Sequence, residues 1–338
     1  MTGAGVTYSS TAATSWWKVT IHGTVSVTSA QSVAYISASI VAGGVITLVA
    51  GCNFQYIQRP GISSYSNLGA INGAGSLYLY VDSSSGDYVI TFGNVNNVQI
   101  AGYSDITANR VVSLGASATL AGTLTISSAH ASNTIALSHG TNYRLNVSGA
   151  VTLGTRGVMT QGTGTWQFNT SYTQSGASSV FTQGGVISIG SSGFSLSLGT
   201  FTATTSYTLT DSGDFIRSGG TLTTSVLNLI MSGAGYSLAN NGGGTIYLNS
   251  TTINGATTFT SGTNTIKSST LTVAVGVTFT TIGAFTVQVY AATFKFSNGG
   301  TIAGAGGLVF EMGDKSPTVT LGRLNGALVI LTRADASG

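Results

Sequence analysis

Residues Gly184–Asn249 read GGVISIGSSGFSLSLGTFTATTSYTLTDSGDFIRSGGTLTTSVLNLIMSGAGYSLANNGGGTIYLN. Short β-prone runs (VISI, FSLSL, YTLT, VLNLIM, TIYL) alternate with Gly, Ser, Asn and Asp. Within each run apolar and hydroxylated side chains alternate, the period-two signature of a strand with one buried face. No run keeps a helical period. The runs also recur at near-constant spacing, so this stretch predicts stacked coils of strand and turn.

The rest of the composition agrees. Of 338 residues, 48 are Gly and only 6% are charged, against about 25% in an ordinary soluble domain. Ser, Thr and Asn must therefore solvate the surface, while a hydrophobic content of 42% is enough to bury a core. Two prolines and no Ala/Glu/Lys/Leu-rich segment leave little room for helices. The fold class read from this is all-β: one parallel β-solenoid of about 15 coils with a repeat near 20 residues. Anchors at the first apolar residue of each strand core, Leu124, Leu145, Trp166, Ile187, Leu209, Leu229, Leu248, Ile266, Val287, Leu308 and Leu328, lie 18 to 22 residues apart. Leu229, Leu248, Val287 and Leu308 are expected to share one continuous core.

Three segments are expected. Residues 1–30 form an N-terminal capping or docking segment, where Trp16 and Trp17 of SWWKVTIHGTVSV would cover an open strand edge. Residues 31–115 form an irregular part with a long loop at about 51–75, CNFQYIQRPGISSYSNLG, whose Tyr56 and Tyr65 suggest either a binding excursion or a packed side loop. Residues 116–338 form the regular repeats. The stretch Val89–Ile106, VITFGNVNNVQIAGYSDI, resembles the strand, Asn-turn, strand texture of right-handed parallel β-helix proteins of the pectate-lyase-like class. That class includes polysaccharide lyases and hydrolases, phage tailspikes and bacterial adhesins. LNLIMSGAGYSL and LTVAVGVTFTTIGAFTVQV are similar to the strand repeats of large adhesins. The resemblance implies a β-helix and a surface role, and carries no catalytic motif.

Residue chemistry narrows the function. Glycosidic or uronate cleavage needs paired carboxylates, or carboxylates holding Ca²⁺ beside a basic group. Asp211 with Asp214 in TDSGDF and Asp82 with Asp87 in VDSSSGDY are the closest pairs, and each brackets Ser and Gly as acidic turn residues do. His22, His130 and His139 have no metal-ligand spacing, and no HExxH, Walker loop or CxxC occurs. No cofactor or metal is expected. Cys52 alone cannot form an intramolecular disulfide and reads as a small buried apolar residue. The net charge is +3, with basic residues scattered, so nucleic acid is not an expected partner. IVAGGVITLVAG (Ile40 to Gly51) is too short to span a bilayer, and Met1 to Thr14 lacks a signal-peptide pattern. Threonine-rich strands would present a flat hydroxyl rank only if their Thr positions kept one register, and in sequence those positions drift. Three sequons, at Asn146, Asn169 and Asn249, are glycosylation acceptors if the chain is secreted by a glycosylating organism.

These features point to a non-enzymatic structural or adhesive solenoid, extracellular or on a virion. A carbohydrate-binding or carbohydrate-cleaving β-helix is the competing reading. The expected partners are other copies stacked head to tail, through Trp16 and Trp17 at one end and Leu328, Val329 and Ile330 at the other, and surface glycans.

Overall fold

The computed structural model describes residues 6–8, 14–27, 32–57, 64–83, 85–139, 142–260, 265–289, 295–312, 319, 321–327 and 329–333. The chain is an all-β parallel solenoid of about 13 turns with a repeat of about 22 residues, so the expected fold stands, with fewer and longer coils. The chain divides into two compact units, residues 1–169 with 174–181, and residues 170–173 with 182–338.

In the first unit one coil shows the plan. Strands Leu145–Val147, Val151–Leu153 and Gly157–Thr160 follow one another across two short corners. Leu145, Val147, Val151, Leu153 and Met159 point inward and are fully buried, while Asn146, Thr152 and Val158 alternate outward. Burying each such side chain contributes roughly 1.5–3 kcal/mol. Each strand hydrogen-bonds in parallel to its counterparts in neighbouring coils: Ala118 lies against Leu145 and Leu145 against Trp166. Leu124 lies against Val151, Ile135 against Gly157. A charged side chain repeated at the corners would meet its own kind one strand spacing away, which neutral and small residues avoid. At one corner the packing leaves no space for a side chain, since a Cβ on Gly176 would overlap the backbone of Gly154.

The register differs from the sequence expectation. Leu124 stacks on Val151 rather than Leu145, because the coil from Leu120 to Val147 is 27 residues long, whereas that from Val147 to Phe168 is 21. The extra residues are the turn after strand Leu124–Ser128, held by Ser128 and His130. The 51–75 segment is also largely strand instead of loop. Asn53–Ile57 and Ser64–Asn67 both pair with Ser32–Ile40, and Ala70–Val81 begins within it. Thr24–Val27 lies in the ladder between Val6–Tyr8 and Val45–Leu48, so this part of the N-terminal segment is solenoid strand.

In the second unit the columns are more regular. Ile187, Leu209, Leu229, Thr251, Leu271 and Phe296 succeed one another on the first strand stack. Ile246, Ile266, Phe285, Leu308 and Val329 do so on the third. Leu229, Leu248, Val287 and Leu308 are all buried, as expected, and fall in three columns: Leu248 and Val287 share one through Ser268, Leu308 follows Phe285, and Leu229 lies against Thr251. Aromatic rings fill the wider interior, with Phe194 and Phe215 stacked at 4.6 Å and Phe259 edge-on to Phe285 at 5.3 Å. Some outward threonines meet between adjacent coils, but as separate pairs on three different strand stacks rather than in one rank. Thr200 and Thr202 lie against Thr221 and Thr223, Thr252 against Thr272, and Thr258 against Thr280.

Candidate functional site

The acidic residues are the natural starting point for chemistry, and each described one has a structural partner. Asp87 Oδ1 accepts from Val111 N at 2.8 Å, one coil away. Asp105 Oδ1 accepts from Ser83 N, and Asp82 Oδ1 from Ser85 Oγ. Glu311 meets Lys267 Nζ at 2.9 and 3.0 Å. Asp211 is completely buried at the end of strand Thr208–Asp211. Its Oδ1 accepts from Gly213 N at 3.0 Å and its Oδ2 from Phe194 N at 3.2 Å. Burial raises its pKa to about 7, against the two backbone hydrogen bonds, which lower it; the nearby Asp214 adds a smaller upward push. Asp214 Oδ1 accepts from Ser237 N at 2.7 Å. Both members of this pair therefore tie turns to backbone amides, as the sequence reading of turn acids implies. Asp314 and Asp335 lie outside the described residues.

Two of the histidines have defined surroundings. His130 Nδ1 accepts from Ser132 N and Asn133 N, closing a turn. His139 is buried edge-on to Tyr143 and Trp166, at 5.7 and 5.5 Å. Among the described residues no three His, Cys, Asp or Glu side chains are grouped to hold a metal ion. Cys52 is buried. A shallow polar groove runs over Ser117, Thr119, Arg144, Asn146, Thr165 and Gln167, and none of these is a carboxylate.

Tyrosines form two groups in the first unit. Tyr56 is buried against Tyr65 and Tyr88, at 5.3 and 6.3 Å, so these residues of the expected loop pack; Arg59, Pro60 and Gly61 lie outside the described residues. The second group faces outward. On strand Ala70–Val81, Leu77, Leu79 and Val81 point into the core, which turns Tyr78 and Tyr80 to the surface. Tyr103 follows strand Asn94–Gly102 in the next coil, and its N donates to Val81 O at 2.8 Å. Ring centroids are 5.9 Å apart for Tyr78 and Tyr80 and 5.0 Å for Tyr80 and Tyr103. Burial, and then a hydrogen bond with Tyr103, hold the Tyr80 hydroxyl above the usual phenol range.

Comparison with known proteins returns no matching family model, no matching curated protein and no matching solved structure. What the chain can do is read from its surface alone.

The residues expected at the ends are placed as follows. Trp16 lies opposite Tyr35 in the pairing of Thr14–Ile21 with Ser32–Ile40, and Trp17 is on the same strand. Val329 and Ile330 pair with Leu308 and Val309, and Leu328 lies outside the described residues. Of the sequon amides, Asn169 Nδ2 donates to Asn146 Oδ1 at 3.0 Å, and Asn249 Nδ2 to Asn228 Oδ1 at 2.8 Å. They are rungs between coils. The outward tyrosine group was not found from sequence. Its signal is the alternation SLYLYV, but Tyr103 joins it only through coil stacking.

Proposed function

We propose that this chain is a non-enzymatic structural and adhesive solenoid, a subunit of an extracellular or virion fibre that assembles end to end. The observation that carries this reading is at strand Val329–Arg333. In the column Leu248, Ser268, Val287, Phe310 and Leu331, Leu248, Ser268, Val287 and Phe310 are buried, whereas Leu331 is 68% exposed. No described strand covers its outer edge. A strand edge that presents unpaired N–H and C=O groups beside an apolar column is a template for a further parallel strand. A second copy meets that need, and a contact between unlike ends propagates when it does not close.

The low charge and the hydroxyl- and amide-rich surface support a role outside the cell, where Asn146, Asn169 and Asn249 would be candidate glycan acceptors. The described carboxylates hold turns and a lysine in place, which supports a role without catalysis. Polysaccharide cleavage assays for new reducing ends and unsaturated uronates are expected to stay at background.

Size-exclusion chromatography and negative-stain microscopy test the assembly. Rising concentration should yield fibres, and Leu331→Lys should abolish them without changing the far-ultraviolet circular dichroism. A monodisperse monomer at high concentration would overturn end-to-end assembly, as would fibres indifferent to Leu331→Lys.

A further inference from the structure

We propose that the outward shelf of Tyr78, Tyr80 and Tyr103 is a saccharide-binding platform, an inference that rests on the adhesive reading and names its ligand class. Outward positions on these coils are otherwise filled mainly by Ser, Thr, Asn and Gln. Here three phenol rings form a continuous strip across two coils, with successive centroids 5.9 and 5.0 Å apart. Tyr103 is 48% exposed. Ala101, which lies against Tyr80 in the strand register, is covered to 8% exposure although it points outward.

The surroundings identify the occupant. Gln55 and Gln99 flank Tyr78 in the coils on either side, and the exposed Asp105 lies close enough to Tyr80 to disfavour its ionisation. A sugar ring presents an apolar C–H face and an edge of hydroxyls. The tyrosine faces meet the first, and the carboxylate, amides and phenol hydroxyls meet the second. A stacked nucleic-acid strand would need cationic residues along its backbone, and the residues named here supply a carboxylate and no cation. A protein partner normally covers about 800 Å² on each side, whereas three rings of about 150–250 Å² each, already partly buried, offer less. The rings are also preorganised. Tyr78 and Tyr80 sit on a strand paired on both sides, and Tyr103 is tied to Val81. Little side-chain freedom remains to be lost on binding.

Affinity electrophoresis and titration calorimetry of the full chain against β-1,4-glucan, β-1,3-glucan, chitin, α-1,4-glucan and polygalacturonate oligosaccharides test this. At least one should bind, and Tyr80→Ala or Tyr103→Ala should each weaken it by about tenfold, the scale of one lost aromatic contact. Tyr80→Phe, which keeps the ring, should lose less. Tyr247→Ala, an exposed tyrosine in the other unit, should bind as the wild type does. Absence of binding to every member would overturn the proposal. So would retention of binding when Tyr78, Tyr80 and Tyr103 are all changed to Ala with an unaltered circular dichroism spectrum. Fibre formation on the same samples separates the two readings: binding lost with fibres intact supports the platform. Binding retained without fibres supports the platform and removes only end-to-end assembly.

Discussion

At the scale of single residues, Asp211 is the most consequential side chain. The motif TDSGDF read as a turn, and the turn is there. What the sequence could not reveal is that Asp211 continues the inward column between Ile189 and Met231. A carboxylate in that column is taken out of water, and two backbone N–H groups only partly compensate. Its pKa of about 7 has a definite sign in stability. Between the unfolded value near 4 and about 7, the folded chain holds a proton that the unfolded chain has released. This contribution to stability is full below pH 4 and is lost as pH rises through 7, on the order of 4 kcal/mol in all. The denaturation midpoint should therefore be higher at pH 5 than at pH 8, and Asp211→Asn should flatten that difference. A wild-type midpoint that rises towards pH 8, with the variant following it, would contradict the buried placement.

At the scale of the strand, the faces were legible and the register was not. Period-two alternation fixes which residues point inward, because a shift of one residue would expose a whole apolar face. It says nothing about how many residues lie between coils. The turn between Ser128 and Thr134 lengthens its coil, and no apolar pattern marks how far. The same gap hid the tyrosine shelf, since Tyr80 and Tyr103 are neighbours only once the coils are stacked. Strand Thr245–Leu248 offers a direct test of face assignment, because Leu248 is 2% and Tyr247 47% exposed. Leu248→Ala should cost about 2–5 kcal/mol through lost burial and a cavity. Tyr247→Ala, one position away, should stay within about 0.5 kcal/mol. Urea unfolding of the two variants measures both, and equal costs would mean that the strand is misregistered.

At the scale of the molecule, stability comes from repetition of neutral contacts. Each coil buries its apolar face only against the coils beside it, so the fold is a sum of nearest-neighbour interfaces. Charge takes little part in that sum: the chain has 19 charged side chains, eleven basic and eight acidic. Lys267 and Glu311 form a half-buried ion pair on one surface, and exposed or half-exposed pairs of this kind are worth about 0–1 kcal/mol. Stacking in register explains the scarcity, because a charged residue repeated on successive coils would face its own kind at about 4.8 Å. Neutral Asn and Thr can instead bond to one another, as Asn146 does with Asn169 and Asn228 with Asn249. The thermal midpoint at pH 5, where Asp211 is largely protonated, should therefore move by only about 2–3 °C between 0.05 and 0.5 M sodium chloride, since screening acts on terms of this small size. Lys267→Ala should change that response little. A shift of 10 °C or more would show that long-range charge interactions, rather than stacked neutral ladders, hold the coils together.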